Sequence, residues 1–173
     1  MSEQRTAFQS MSREDLLRAL EMFAKNWLAH DSCWFRAAEE RFGMETAIEL
    51  DARSWERFAV AEARRLMAAF NIPAEGGLPA LERALSLRPY AVINSQRIEW
   101  SDDRKRLRFF MDACRVQDTR HQKGLPDFPC KSVGIVEFAT FAKTIDCRIS
   151  TTCLCCPPDA QPGQYCGWEF TIE

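Results

Sequence analysis

NWLAHDSCWFRAAEERFGMETAIELDARSWERFAVAEARR, residues 26–65, is the stretch on which the fold turns. From Met44 the inward positions step by four and three through Ile48, Asp51, Trp55, Phe58, Glu62, Arg65 and Ala69, one stripe of an amphipathic helix. Asp51 and Glu62 therefore point with Trp55 and Phe58 rather than away from them. Upstream, Leu17, Leu20, Ala24 and Leu28 make a similar stripe that runs on in helical register to Asp31. An ionised carboxylate buried alone is costly, so three such groups on apolar stripes imply pairing, a bound ligand or retained protons.

Working outward, Ser12-Arg13-Glu14-Asp15 begins a first helix with a capping-box pattern, expected to end near Ala29 or His30. Asp31 or Ser32 can cap a second helix, which Gly43 ends. A third runs from Met44 to Phe70, and Leu78 to Ser86 forms a fourth, short one before Pro89. From Tyr90 the period changes to two: Tyr90 to Trp100 and Leu107 to Ala113 read as a hairpin turned at Ser101-Asp102-Asp103. The DTRHQKG segment with His121 reads as an exposed polar loop, Ser132 to Ile145 as a helix, and two last strands frame Pro157-Pro158. The expectation is an α+β fold. A helical half of three to four helices (12–88) packs on a β-β-α-β-β antiparallel sheet unit (89–173), within one domain spanning 12–173 behind a poorly ordered stretch, 1–11.

The whole chain of 173 residues has a net charge of -2, 46% hydrophobic and 11% aromatic residues, with acidic and basic side chains interleaved. That balance argues against nucleic acid or a membrane surface as partner. No segment has the apolar length of a signal peptide core or a membrane span, so a cytoplasmic location is expected. A homodimer through the helical half is the ordinary prior for such a domain.

Eight cysteines in a reducing compartment call for metal binding, redox chemistry or plain burial. Cys114, Cys130, Cys156 and Cys166 are the candidate ligands for zinc or another soft metal, although paired C-x-x-C knuckles are missing. Asp31 and Glu62 are the candidate acid/base groups, while His30, Trp34, Asp51, Trp55, Arg65 and Arg115 are the candidate ligand-binding residues. A structural ion-pair network is the competing reading for the carboxylates, and a satisfied structural histidine for His30. Asp51 and Glu62, eleven residues apart on one helix, are separated by about 16 Å, so they cannot grip one small atom together. No phosphate loop or nucleophile signature is present.

Four motifs together, W-L-A-H-D-S-C-W-F (27–35), F-G-M-E-T-A-I-E-L-D (42–51), W-E-R-F with E-A-R-R (55–65) and C-L-C-C-P-P with Y-C-G-W-E-F (153–170), resemble a family of uncharacterised prokaryotic cytosolic proteins. From residue 90 onward, M-D-A-C-R, P-C-K and G-Q-Y-C-G-W-E-F look like the C-terminal part of L-2-amino-thiazoline-4-carboxylate hydrolase-like proteins and of the 4-vinyl reductase small-molecule-binding domain. The first likeness implies hydrolysis of a small carboxylate-bearing heterocycle. The second implies a protein that binds a hydrophobic ring, with Cys114, Cys130 and Cys166 at its positions of interest. The expected function is small-molecule binding in an apolar pocket between the two halves, with hydrolysis or a zinc-stabilised module as alternatives.

Overall fold

A computed structural model describes residues 7–159 and 163–172. Helix α1 (Arg13–Phe42) and helix α2 (Met44–Phe70) form a long antiparallel hairpin whose corner is Gly43, at φ 84°, a backbone angle that glycine adopts at little cost. Ser12 caps α1 by accepting from the Asp15 amide at 3.1 Å, and Asn71 closes α2 in the left-handed conformation. Then follow α3 (Gly77–Leu85), a single turn α4 (Tyr90–Ile93), β1 (Ser95–Trp100), β2 (Arg106–Ala113), α5 (Arg115–Gln122), α6 (Lys131–Ile145), β3 (Ile149–Cys155) and β4 (Cys166–Ile172). The architecture is a helical N-terminal half with a four-stranded antiparallel sheet of order β1-β2-β4-β3. Of the stretch 1–11, residues 1–6 lie outside the described residues.

Three readings of the sequence need correction. The break expected at Asp31 is absent, and α1 runs unbroken for 30 residues. Cap-forming residues begin a helix only where the chain has already stopped, and neither glycine nor proline interrupts residues 13–42. The strand expected from Tyr90 starts at Ser95, because Pro89 supplies the fixed φ that opens a helical turn instead. The polar segment after Cys114 is helix α5. Its inward residues are Gln117 and Arg120, both buried, so no apolar period announces it.

The sheet buries one face. Leu107, Phe109 and Met111 of β2 lie opposite Phe170, Trp168 and Cys166 of β4, and the five apolar side chains other than cysteine are 4% exposed or less. Helix α6 lies on this face, with Phe138 stacked on Trp168 at 4.8 Å between centroids. Its approach is close because Gly134 has no side chain: a Cβ there would meet the Trp168 ring at 2.6 Å. Helix α2 packs on α6 from the other side through Ala59 and Ala63, so α6 is a middle layer rather than a flank. The helical half therefore packs on the β-β-α-β-β unit as expected, chiefly through α6, with α3 also touching β2 and β4.

Candidate functional site

The helical hairpin, α5, α6 and the sheet enclose a cavity of about 150 Å³. Its helical wall repeats one motif twice. On α1, Asp31 stands one turn before Phe35; on α2, Asp51 stands one turn before Trp55. The opposite wall combines Gln117 of α5, Phe128 of the following loop, Glu137 and Phe138 of α6, and Met111 and Trp168 of the sheet. Outside the hairpin, a groove of about 650 Å³ shares Asp31, Phe35 and Asp51 with the cavity and adds Trp27, His30 and Trp34. The three shared side chains form a partition between the two spaces.

Aromatic rings fix this wall. Trp27 meets Trp55, Phe58 and Tyr90 at centroid distances of 6.2, 5.8 and 5.5 Å, and Phe35 sits edge-on to Phe128 at 4.7 Å. The loop carrying Phe128 is clamped by Gln117, whose amide donates to the Phe128 carbonyl at 2.8 Å and accepts from its N–H at 3.0 Å. A side-chain amide here completes a backbone that no strand reaches.

Behind the cavity lies a buried ion triad. Arg88, 2% exposed, approaches Glu62 at 2.9 Å and Glu137 at 2.6 Å. Its guanidinium lies over Phe141 at 4.7 Å and over Tyr90 at 5.2 Å. Burial works against the Arg88 charge, and Glu137 and Glu62 more than offset it. Glu137 itself is pushed up by burial in spite of Arg88. Burial, seconded by Asp31 and Glu137, pushes Asp51 up to about 7, and burial also raises Asp31. The cavity is thus an apolar space in which Asp31 and Asp51 have no ion-pair partner among the described residues. Three cationic residues also line it: Arg120 is engaged with Glu39 and the Pro126 carbonyl, Arg36 with Glu40, and Lys123 is exposed.

Four cysteines line the same cavity from four segments. Cys114 follows β2, Cys130 precedes α6, Cys156 follows β3 and Cys166 opens β4. The sulfurs of Cys130 and Cys156 are 3.3 Å apart, and Cys156 is also hydrogen-bonded to Cys166. Burial pushes the Cys114 thiol up to about 12. Hydrogen bonds with Cys130 and Cys166 hold the Cys156 proton far more tightly than usual. Cys166 is shifted the other way, chiefly by its neighbour Cys156 and despite its burial. Among the described residues, no group of three or more His, Cys, Asp or Glu is placed to hold a metal ion.

Residues 9–172 match the family of unknown function DUF6125. The chain belongs to DUF6125. No curated protein matches it. A solved structure similar to this DUF6125 chain is a trafficking protein particle complex subunit 3 from Naegleria fowleri, covalently bound to palmitic acid. The TM-score is 0.52 at 10% identity, covering 90% of the DUF6125 chain and 95% of the other. That likeness is one of fold. Neither the thiazoline-carboxylate hydrolase-like proteins nor the vinyl reductase domain is supported by these matches, so the likeness drawn from residue 90 onward is set aside.

Of the residues singled out in the sequence, Asp31, Asp51 and Trp55 meet at the cavity with all four candidate cysteines. His30 and Trp34 lie in the outer groove, where Trp34 is 69% exposed. Glu62 is held by Arg88, while Arg65 and Arg115 are exposed and line neither space. Sequence reasoning missed Glu137 and Arg88. Glu137 had a signal, as a carboxylate inside the apolar run Val133–Ile145, whereas Arg88, in the turn before Pro89, had none.

Among the described residues no helix is long and apolar enough to cross a membrane.

Proposed function

We propose that this protein binds a small amphipathic molecule, its apolar part in the cavity and an amino or other hydrogen-bond-donating group against Asp31 and Asp51. One observation carries the reading: a cavity between helices and sheet, walled by aromatic rings, presents two carboxylates that make no ion pair among the described residues. A bound ammonium would restore the charge that burial withholds from Asp51, and so would be gripped by a charge-assisted hydrogen bond. The trafficking subunit of similar fold is bound to palmitic acid, which supports room for an aliphatic chain within this architecture. The hydrolytic alternative has less behind it. Glu62 is occupied by Arg88, and Arg65 and Arg115, the arginines among the candidate ligand-binding residues, stand outside the cavity.

The test uses decylamine and decanoate, equal tails with opposite heads, in thermal shift and isothermal titration at pH 8. Decylamine is expected to bind and to raise the unfolding temperature, and Asp51→Asn is expected to weaken it about tenfold. Preference for decanoate, or no binding of either, would sink the reading.

A further inference from the structure

Helix α1 carries two apolar stripes and its own fold uses one of them. Ala24, Leu28 and Phe35 turn toward α2 and the cavity. A quarter-turn away, Leu16, Leu20, Phe23, Trp27, His30 and Trp34 recur at alternating steps of four and three, the a and d positions of a heptad. Trp27 is half-buried against Trp55 and Phe58, but Leu16, Leu20, Phe23 and Trp34 are 43%, 53%, 51% and 69% exposed, and His30 is exposed with them. The crowding is particular to this hairpin: of thirteen large apolar side chains exposed among the described residues, ten fall between Phe8 and Leu50. The reverse face of the same turns is complete in itself, since Glu14 pairs with Arg18 and Glu21 with Lys25, each one turn apart.

We propose that the second stripe is the seam of a homodimer in which α1 lies antiparallel to α1 of a second copy, with Phe23 of each chain level with Trp27 of the other. In that register every a position meets a d position: Leu16 comes level with Trp34, Leu20 with His30 and Phe23 with Trp27, each twice by symmetry. A shift of one heptad would instead set Leu16 against Arg41 or Trp34 against Gln9. Charge selects the direction. Parallel helices would bring Arg13 onto Arg13 and Arg41 onto Arg41, whereas the antiparallel pair brings Arg13 level with Ala37, one turn from Glu40. The layers from Leu16 to Trp34 span about 27 Å of helix. The exposed parts of Leu16, Leu20, Phe23 and Trp34 amount to on the order of 10³ Å² over the two copies, and the flanking turns bring the total into the ~1,200–2,000 Å² of a stable interface. A lipid surface fits the stripe less well, because the reverse face balances acidic and basic residues and offers no basic margin. His30 and Trp34 also line the outer groove, so Leu20 and Leu16 of the second copy roof it when the helices meet. The dimer does not rest on the ligand reading and is measured with no ligand added.

Sedimentation velocity and light scattering on the full, reduced chain at micromolar concentration should give twice the 19.9 kDa of one copy. Leu20→Glu should weaken association at least about tenfold, because it sets a carboxylate in each half of an apolar seam. Trp34→Glu should do the same from the opposite end. Both side chains are exposed in the single copy, so the helical circular dichroism of either variant should match the parent. Rescue reads the register: Leu20→Glu combined with His30→Lys places opposite charges level across the antiparallel seam and should restore the dimer. A monomeric parent chain overturns the proposal, as does a dimer that both folded single variants retain. Failure of the rescue in a folded double variant overturns the antiparallel register. A monomer that floats with phosphatidylglycerol vesicles would give the stripe to a lipid surface and overturn the dimer as well.

Discussion

Asp51 is one turn from Trp55 on α2 and has Asp31 and Glu137 as neighbours in charge. Its carboxyl keeps a proton to about pH 7, against an ordinary value near 4 in the unfolded chain. Between those values the folded chain holds a proton that the unfolded chain has lost, so stability falls as pH rises through this window. Asp51→Asn removes the effect. The variant should be more stable than the parent by on the order of 2 kcal/mol at pH 8, with the gap closing toward pH 4, as urea titrations at both values would show. Arg88 makes the opposite case. Replacing it with methionine keeps the volume but leaves Glu62 and Glu137 facing each other in an apolar interior, a loss of about 3–5 kcal/mol. Without Arg88, Glu137 holds its proton more readily and its charge no longer opposes that of Asp51, so the pH at which Asp51 titrates should fall, which carboxyl-labelled NMR would detect.

Helix α6 is the element on which the others are stacked. Gly134 lets it approach β4, and alanine there would push into the Trp168 ring. Gly134→Ala should cost about 1–3 kcal/mol in chemical denaturation and disturb the near-ultraviolet signal of the indole. The elements differ in how legible they are. The stripe from Met44 and the caps at Ser12 and Gly43 located α2 and the start of α1, because period and cap residues act locally. Residues 132–145 and the final strand were equally plain, since Phe138, Phe141, Ile145, Trp168 and Phe170 all turn inward. Helix α5 was hidden because its buried face is polar, satisfied by the Phe128 backbone and by Glu39. The continuity of α1 was hidden for another reason: Asp31 is on the helix for the sake of the cavity rather than as a cap. Leu17 and Leu20 were assigned to the core by period alone, yet they are 57% and 53% exposed because α2 covers only the later turns through Ala24 and Leu28.

At the scale of the molecule, the candidate site was half visible. Its acidic side could be read from two helices, since each carboxylate shares a stripe with aromatic residues. Its thiol side could be named but not arranged, because contacts between Cys130, Cys156 and Cys166 depend on how β3 and β4 meet α6. The core runs without interruption from Ala59 on α2 through α6 to Phe170 on β4. Unfolding should therefore be a single transition, with calorimetric and van't Hoff enthalpies equal and near- and far-ultraviolet signals lost together. Two resolved transitions would show separate helical and sheet domains instead. The cavity wall begins at Asp31 and ends at Trp168. A nick anywhere in the connection between Gly124 and Phe128 would leave two pieces, each owning half a wall. Those pieces could regain the site only by finding each other, so whatever fills the cavity would act as glue between them, and fragment complementation would report its presence.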